Sequence, residues 1–183
     1  MSIVVTIVTS ANRTRRFTQA DEAGIQEILE SLRRSGQMFS ARTLVVGSAQ
    51  ETEIFSPASI TRIEIETQRD LAAYLPQLGD IRLTQIPEGR STPPTEVSET
   101  HFSGRVDFFF AGGDTVGLWI SGPRPVGSNE RLSQLTRLFE QPVLLYKLPS
   151  GGVGLLNPAA MTRALIASGS EKLPLGSWRL NPA

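Results

Sequence analysis

The sequence predicts an α+β protein made of two related β-α-β-β units whose mainly antiparallel sheets pack together. Three observations point there. Short β-branched runs alternate with turn residues, one stretch keeps a helical apolar period, and the second half restates the order of the first.

Residues 3–9 (IVVTIVT) are short and rich in β-branched types, which favours a strand. Asn12 to Phe17 read as a polar arm. Thr18 stands three residues before Asp21, a spacing close to a capping box. Ile25, Ile28, Leu29 and Leu32 then share one helical face, and Gly36 is a stop, so a helix is expected over about 19–35. Residues 43–47 and 52–55 read as strands joined by a polar turn. Ser56-Pro57-Ala58 breaks the ladder, because proline has no N–H to donate. Residues 59–66 resume it, with Thr61, Ile63 and Ile65 on a buried face and Arg62, Glu64 and Glu66 on a solvated one.

The middle is less regular. Residues 68–75 suit two helical turns stopped by Pro76, and 81–86 alternate weakly as a strand. Residues 88–97 hold two prolines and a glycine without apolar periodicity, an exposed connector. Residues 105–111 and 115–120 flank a Gly112-Gly113-Asp114 hairpin turn. Ser128 is an N-cap for a helix carrying Leu132, Leu135 and Phe139, ended by Pro142. Residues 143–147 and 153–156 form a second hairpin around Ser150-Gly151-Gly152.

The two halves align. Leu32 falls on Leu132, Phe39 on Phe139, and Thr43–Val46 on Val143–Tyr146. One residue enters at the turn. Phe55–Arg62 then falls on Leu156–Arg163, with proline on proline and arginine on arginine. This divides the chain into a first unit (1–67), a connector (68–104), a second unit (105–168) and a tail (169–183). The tail's KLPLGSWRLNPA echoes the KLPSGGVGLLNPA of 147–159, a partial hairpin copy anchored by Trp178. Repeated units bury their apolar faces on one another.

Composition narrows function mainly by exclusion. Surface scaling has a chain of 183 residues bury about 70% of its unfolded surface, ample for a sizeable core. Eighteen basic residues offset eighteen acidic ones, so no net field recruits a polyanion or an acidic membrane. With no cysteine, thiolate catalysis, disulfides and cysteine metal sites are excluded, and one histidine excludes a His-rich metal site. No basic n-region precedes the apolar residues 3–8, and no run reaches membrane-helix length, so a soluble, cytoplasmic protein is expected.

The chemistry-bearing residues are sparse. His101 is the only imidazole and has no G-x-S-x-G nucleophile to serve, so it reads as an ordinary strand-edge histidine. Gly151-Gly152-Val153-Gly154 lacks both phosphate-loop and dinucleotide spacing and reads as a turn. Glu51/Glu53 and Glu64/Glu66 have the two-residue spacing of exposed strand faces, without a calcium-loop pattern. Arg13, Arg15 and Arg16 lie in the polar arm and suit phosphate or a protein surface. In Phe108-Phe109-Phe110 consecutive rings point to opposite faces, so either the strand is covered on both sides or Phe109 belongs to an interface.

The expected role is a non-catalytic protein-binding, adaptor or assembly module, with no cofactor or metal, acting on a protein partner or on itself. Its contact residues are Arg13, Arg15, Arg16, Phe109 and Trp178. A nucleic-acid-binding regulator using the arginine arm is the first alternative; a carboxylate-dependent hydrolase or small-molecule-binding domain is the second.

Overall fold

The computed structural model describes residues 2–40, 43–47, 51–76, 80–87, 98–124, 137–166 and 178. Their strands are β1 (Ile3–Thr9), β2 (Thr14–Gln19), β3 (Leu44–Gly47), β4 (Thr52–Phe55), β5 (Ile60–Glu66), β6 (Arg82–Gln85), β7 (His101–Phe110), β8 (Thr115–Pro123), β9 (Leu144–Lys147), β10 (Gly152–Leu156) and β11 (Met161–Ile166). Helix α1 spans Glu22–Leu32, and residues 137–139 are also helical. The α+β expectation holds, but the division into sheets does not. A single nine-stranded sheet runs β11-β7-β8-β6-β9-β10-β5-β1-β2, with β3–β4 a separate two-stranded sheet. Every pairing is antiparallel except β6 with β9.

Three local expectations are corrected. The polar arm is strand β2, paired along its length with β1. It sits at the sheet edge, where charged side chains are tolerated and discourage stray pairing, so it lacks an apolar alternation. Residues 68–75 make one turn rather than two. The Leu71 carbonyl accepts from the Tyr74 and Leu75 N–H groups, and the Asp70 carboxylate accepts from Ala72 N–H at 2.9 Å. Helix α1 is capped by Asp21, which accepts from Gly24 N–H at 2.9 Å, rather than opened at Thr18. The connector at 88–97, the Ser128 cap and the tail apart from Trp178 lie outside the described residues.

Two cores lie on opposite faces of the middle strands. Ile25, Leu29 and Leu32 of α1 bury against Ile3, Ile7, Ile63, Ile65, Leu145, Val153 and Leu155. The other core joins Phe102, Val106, Phe108, Phe110, Val116, Leu118 and Ile120 to Leu144, Tyr146 and Leu156. Strands β9 and β10 are covered on both sides, which explains their almost unbroken apolar sequence.

Several pairings occur at positions 101 residues apart. Ile7 pairs with Ile63 and Val5 with Ile65; Phe108 pairs with Ala164 and Val106 with Ile166. A bulge interrupts both ladders, skipping Thr61 in one and Thr162 in the other. Val8 faces Thr14 across the first hairpin, and Phe109 faces Thr115 across the second. The turns match as well. Thr9 N–H donates to Arg13 O at 3.0 Å, and Phe110 N–H to Asp114 O at 2.9 Å. Asn12 has φ 53° where Gly113 has φ 93°. Pro57 and Pro158 each open a short 3-10 turn, and Asn157 links these turns by donating to Pro57 O at 3.2 Å and Ile60 O at 2.8 Å. The halves differ in their second hairpins. That of β9–β10 lies inside the main sheet, whereas β3–β4 stands apart.

Candidate partner-binding surface

Two adjacent elements, β2 and the β3–β4 hairpin, compose the surface. Across the hairpin Leu44 pairs with Phe55, Val45 with Ile54 and Val46 with Glu53. Strand alternation sends Leu44, Val46 and Phe55 toward the α1 core. Val45 and Ile54, a cross-strand pair, point the other way and are 57% and 69% exposed. Leu145 and Leu155 on the β9–β10 hairpin, the residues that align with them in sequence, are 5% and 0% exposed, because they pack with residues of α1 and β5.

Strand β2 fastens to the hairpin through side chains. Phe17 meets Phe55 edge-on, with ring centroids 6.3 Å apart. Arg15 Nε donates to both Glu53 oxygens, at 2.9 and 3.0 Å, and its Nη2 also donates to Glu53 Oε1. That hydrogen bond and the adjacent negative charge raise the Arg15 pKa above its ordinary value. Arg16 Nη2 donates to Glu66 Oε1 at 3.1 Å. Arg13 is exposed at the mouth of the β1–β2 turn. The outward face of the hairpin thus carries the apolar Val45–Ile54 pair, while Glu53, which pairs with Val46, takes the Arg15 contact that fastens β2 to the hairpin.

The sequence-predicted contact residues do not all meet. Arg13, Arg15 and Arg16 gather at the β2 end of the sheet. Phe109 lies on β7, second from the opposite end, half-buried with the Arg163 guanidinium 4.0 Å above its ring. Trp178 is 84% exposed. Val45 and Ile54 were missed as contact residues. Their signal is an apolar residue on each face of two short neighbouring strands, which sequence alone reads as burial on both sides.

Arg62, Glu64 and Glu66 were expected to be solvated, and this is corrected. Arg62 Nη1 donates to both Asp114 oxygens at 2.9 and 3.0 Å, and Arg62 Nε lies 3.3 Å from Glu64 Oε1 without hydrogen-bond geometry. Tyr146 O–H donates to Glu64 Oε1 at 2.7 Å. Burial, and then the Glu64 charge, push the Tyr146 phenol well above its ordinary pKa. The network ties β5 to β9 and to the β7–β8 turn, so each member has a structural partner.

A cavity of about 1060 Å³ opens beside β6, β9 and the turn at 67–72. Arg69, Asp70, Asp80, Arg82, His101 and Lys147 line it, a mixture of charges with no single sign. Arg69 is held by Glu22, at 2.7 and 2.6 Å, and its hydrogen bond lowers the Glu22 pKa. No hydrogen bond engages the His101 imidazole among the described residues. Nor do three His, Cys, Asp or Glu side chains there group to hold a metal ion. No helix among the described residues is long and apolar enough to cross a membrane.

No family model, curated protein or solved structure matches this chain.

Proposed function

We propose that the protein is a non-catalytic protein-binding and assembly module, built from two copies of one ββαβββ unit. The outward face of β3–β4 is its contact surface. The observation that carries this reading is the exposed Val45–Ile54 pair, 57% and 69% accessible, where the matching Leu145 and Leu155 are covered. Duplication accounts for the contrast. The unit's second hairpin is apolar on both faces because a neighbouring unit packs on it, and the first unit lacks that neighbour. Contiguous exposed apolar residues beside polar ones are a common mark of protein interfaces.

The arginines support a protein rather than a phosphate partner. Arg15 and Arg16 are neutralised by Glu53 and Glu66, which lowers the potential that β2 offers to a polyanion.

Affinity capture from the native cell, comparing the parent with Ile54→Glu, tests the reading. A defined protein, or the chain itself, retained by the parent and lost by the variant is the expected result. Equal capture by both would overturn it.

A further inference from the structure

We infer that the occupant of the bare hairpin face is a second copy of this chain, docked head to tail, with β4 of one copy pairing onto the β11 edge of the next. This rests on reading the β3–β4 face as an interface and names the partner.

The template lies within the chain. β10 pairs antiparallel with β5, setting Leu155 opposite Ile63 and Val153 opposite Ile65. β5 thus has neighbours on both sides, β10 and β1. β11 holds the same register against β7 that β5 holds against β1, yet it ends the sheet, so among the described residues no strand takes the edge that matches the one β10 takes on β5. β4, the counterpart of β10, pairs only with β3 among the described residues. Unpaired edges present rows of N–H and C=O groups that a further strand can satisfy.

Apolar exposure falls at these same two places. Apart from Trp178, the exposed large apolar side chains among the described residues are Val45 and Ile54 on the hairpin, and Leu165 (50%) and Phe139 (40%) beside the β11 edge. Phe139 stacks edge-on against Phe108, 6.0 Å away, in the core that β11 flanks. The second half therefore offers an open strand edge with a partly covered ring beside it, as β5 offers its edge with α1 beside it. Carrying the β10–β5 register across 101 positions sets Ile54 opposite Ala164 and Thr52 opposite Ile166. The alanine leaves room for the incoming Ile54. The two surfaces differ, so the contact is heterologous, and each copy gives one and receives the other.

Sedimentation velocity on the purified full-length chain, from micromolar to several hundred micromolar, is the test. The parent should gain mass with concentration beyond two chains, since a heterologous contact leaves an end open at each step. Ile54→Glu alone and Leu165→Glu alone should each remain monomeric. An equimolar mixture of the two should form a two-chain species and stop there, because one variant keeps β11 and the other keeps β4. Circular dichroism melts confirm folding, and Val45→Lys or Leu165→Ser replaces a variant that does not fold. A parent that is monomeric throughout, a mixture without heterodimer, or a variant that dimerises alone overturns the inference. If the parent is monomeric while Ile54→Glu loses a different captured protein, the interface reading stands and the head-to-tail contact falls. If capture is also unchanged, both fall.

Discussion

Thr61 and Thr162 perform the same task 101 residues apart. Thr61 Oγ1 donates to Val8 O, and Thr162 Oγ1 donates to Phe109 O, each at 3.1 Å. Both are the residue skipped by a bulge, and each hydroxyl satisfies a carbonyl of the strand beside it. Their surroundings differ. Thr61 is fully buried and also reaches Asp114 at 3.3 Å, whereas Thr162 is exposed.

That difference sets unequal costs. Thr61→Val should destabilise by about 1–3 kcal/mol, since it leaves a buried carbonyl unsatisfied, and Thr162→Val by about 0.5 kcal/mol, since water replaces the hydroxyl. Urea unfolding of both variants measures this. Equal losses would mean the two bulges are equally shielded.

Gly154 faces Tyr146 across β9–β10, and a methyl group there would overlap the tyrosine ring. Gly154→Ala should cost about 1–3 kcal/mol, because the buried ring must leave its site. A melting curve matching the parent's would show that the ring has room to move.

Tyr146 makes a pH prediction. Its phenol titrates well above the ordinary 10.0 in the fold, held there by burial first and Glu64 second. The unfolded chain ionises this tyrosine at the ordinary value and so releases its proton first as pH rises. The contribution to stability is complete below pH about 10 and is lost as pH climbs through and beyond it. Tyr146→Phe should lose about 1–2 kcal/mol at pH 8, with the hydrogen bond to Glu64, and fall less steeply above pH 10. Parallel pH profiles for the two proteins would contradict this assignment.

Substituting Arg13, Arg15 and Arg16 together by Ser should shift the melting temperature by a few degrees at most, since exposed charges screened by water contribute little to stability. In fluorescence anisotropy the parent should show no micromolar affinity for single-stranded DNA at ~0.1 M salt. Tight, steeply salt-dependent binding abolished by the triple substitution would move the reading to nucleic acid.

Legibility in the sequence followed locality. Helix α1 was readable because Ile25, Ile28, Leu29 and Leu32 carry its period, although its start, placed near Thr18, lies at Asp21. The strand at Ile60–Glu66 was readable from its alternation. Strand β2 was not, because an edge strand carrying Arg15 and Arg16 looks like a loop until β1 pairs with it. The single sheet was not readable either, since β10 meets β5 through contacts about 90 residues apart. In the site, the arginines were visible and their partners were not: Glu53 lies 38 residues from Arg15, and Glu66 lies 50 from Arg16. Exposure of Val45 and Ile54 could not be read from composition, because similarly apolar strands are covered when a neighbour is present, as at Leu145 and Leu155.

The central claim is that the outward β3–β4 face meets a protein, and methyl NMR tests it most directly. The Val45 and Ile54 methyl signals should shift or broaden as the chain is concentrated or as the captured partner is added, while those of the covered Leu145 and Leu155 stay in place. Signals at Val45 and Ile54 that remain sharp and unmoved, while residues lining the cavity or elsewhere on the sheet respond, would contradict it.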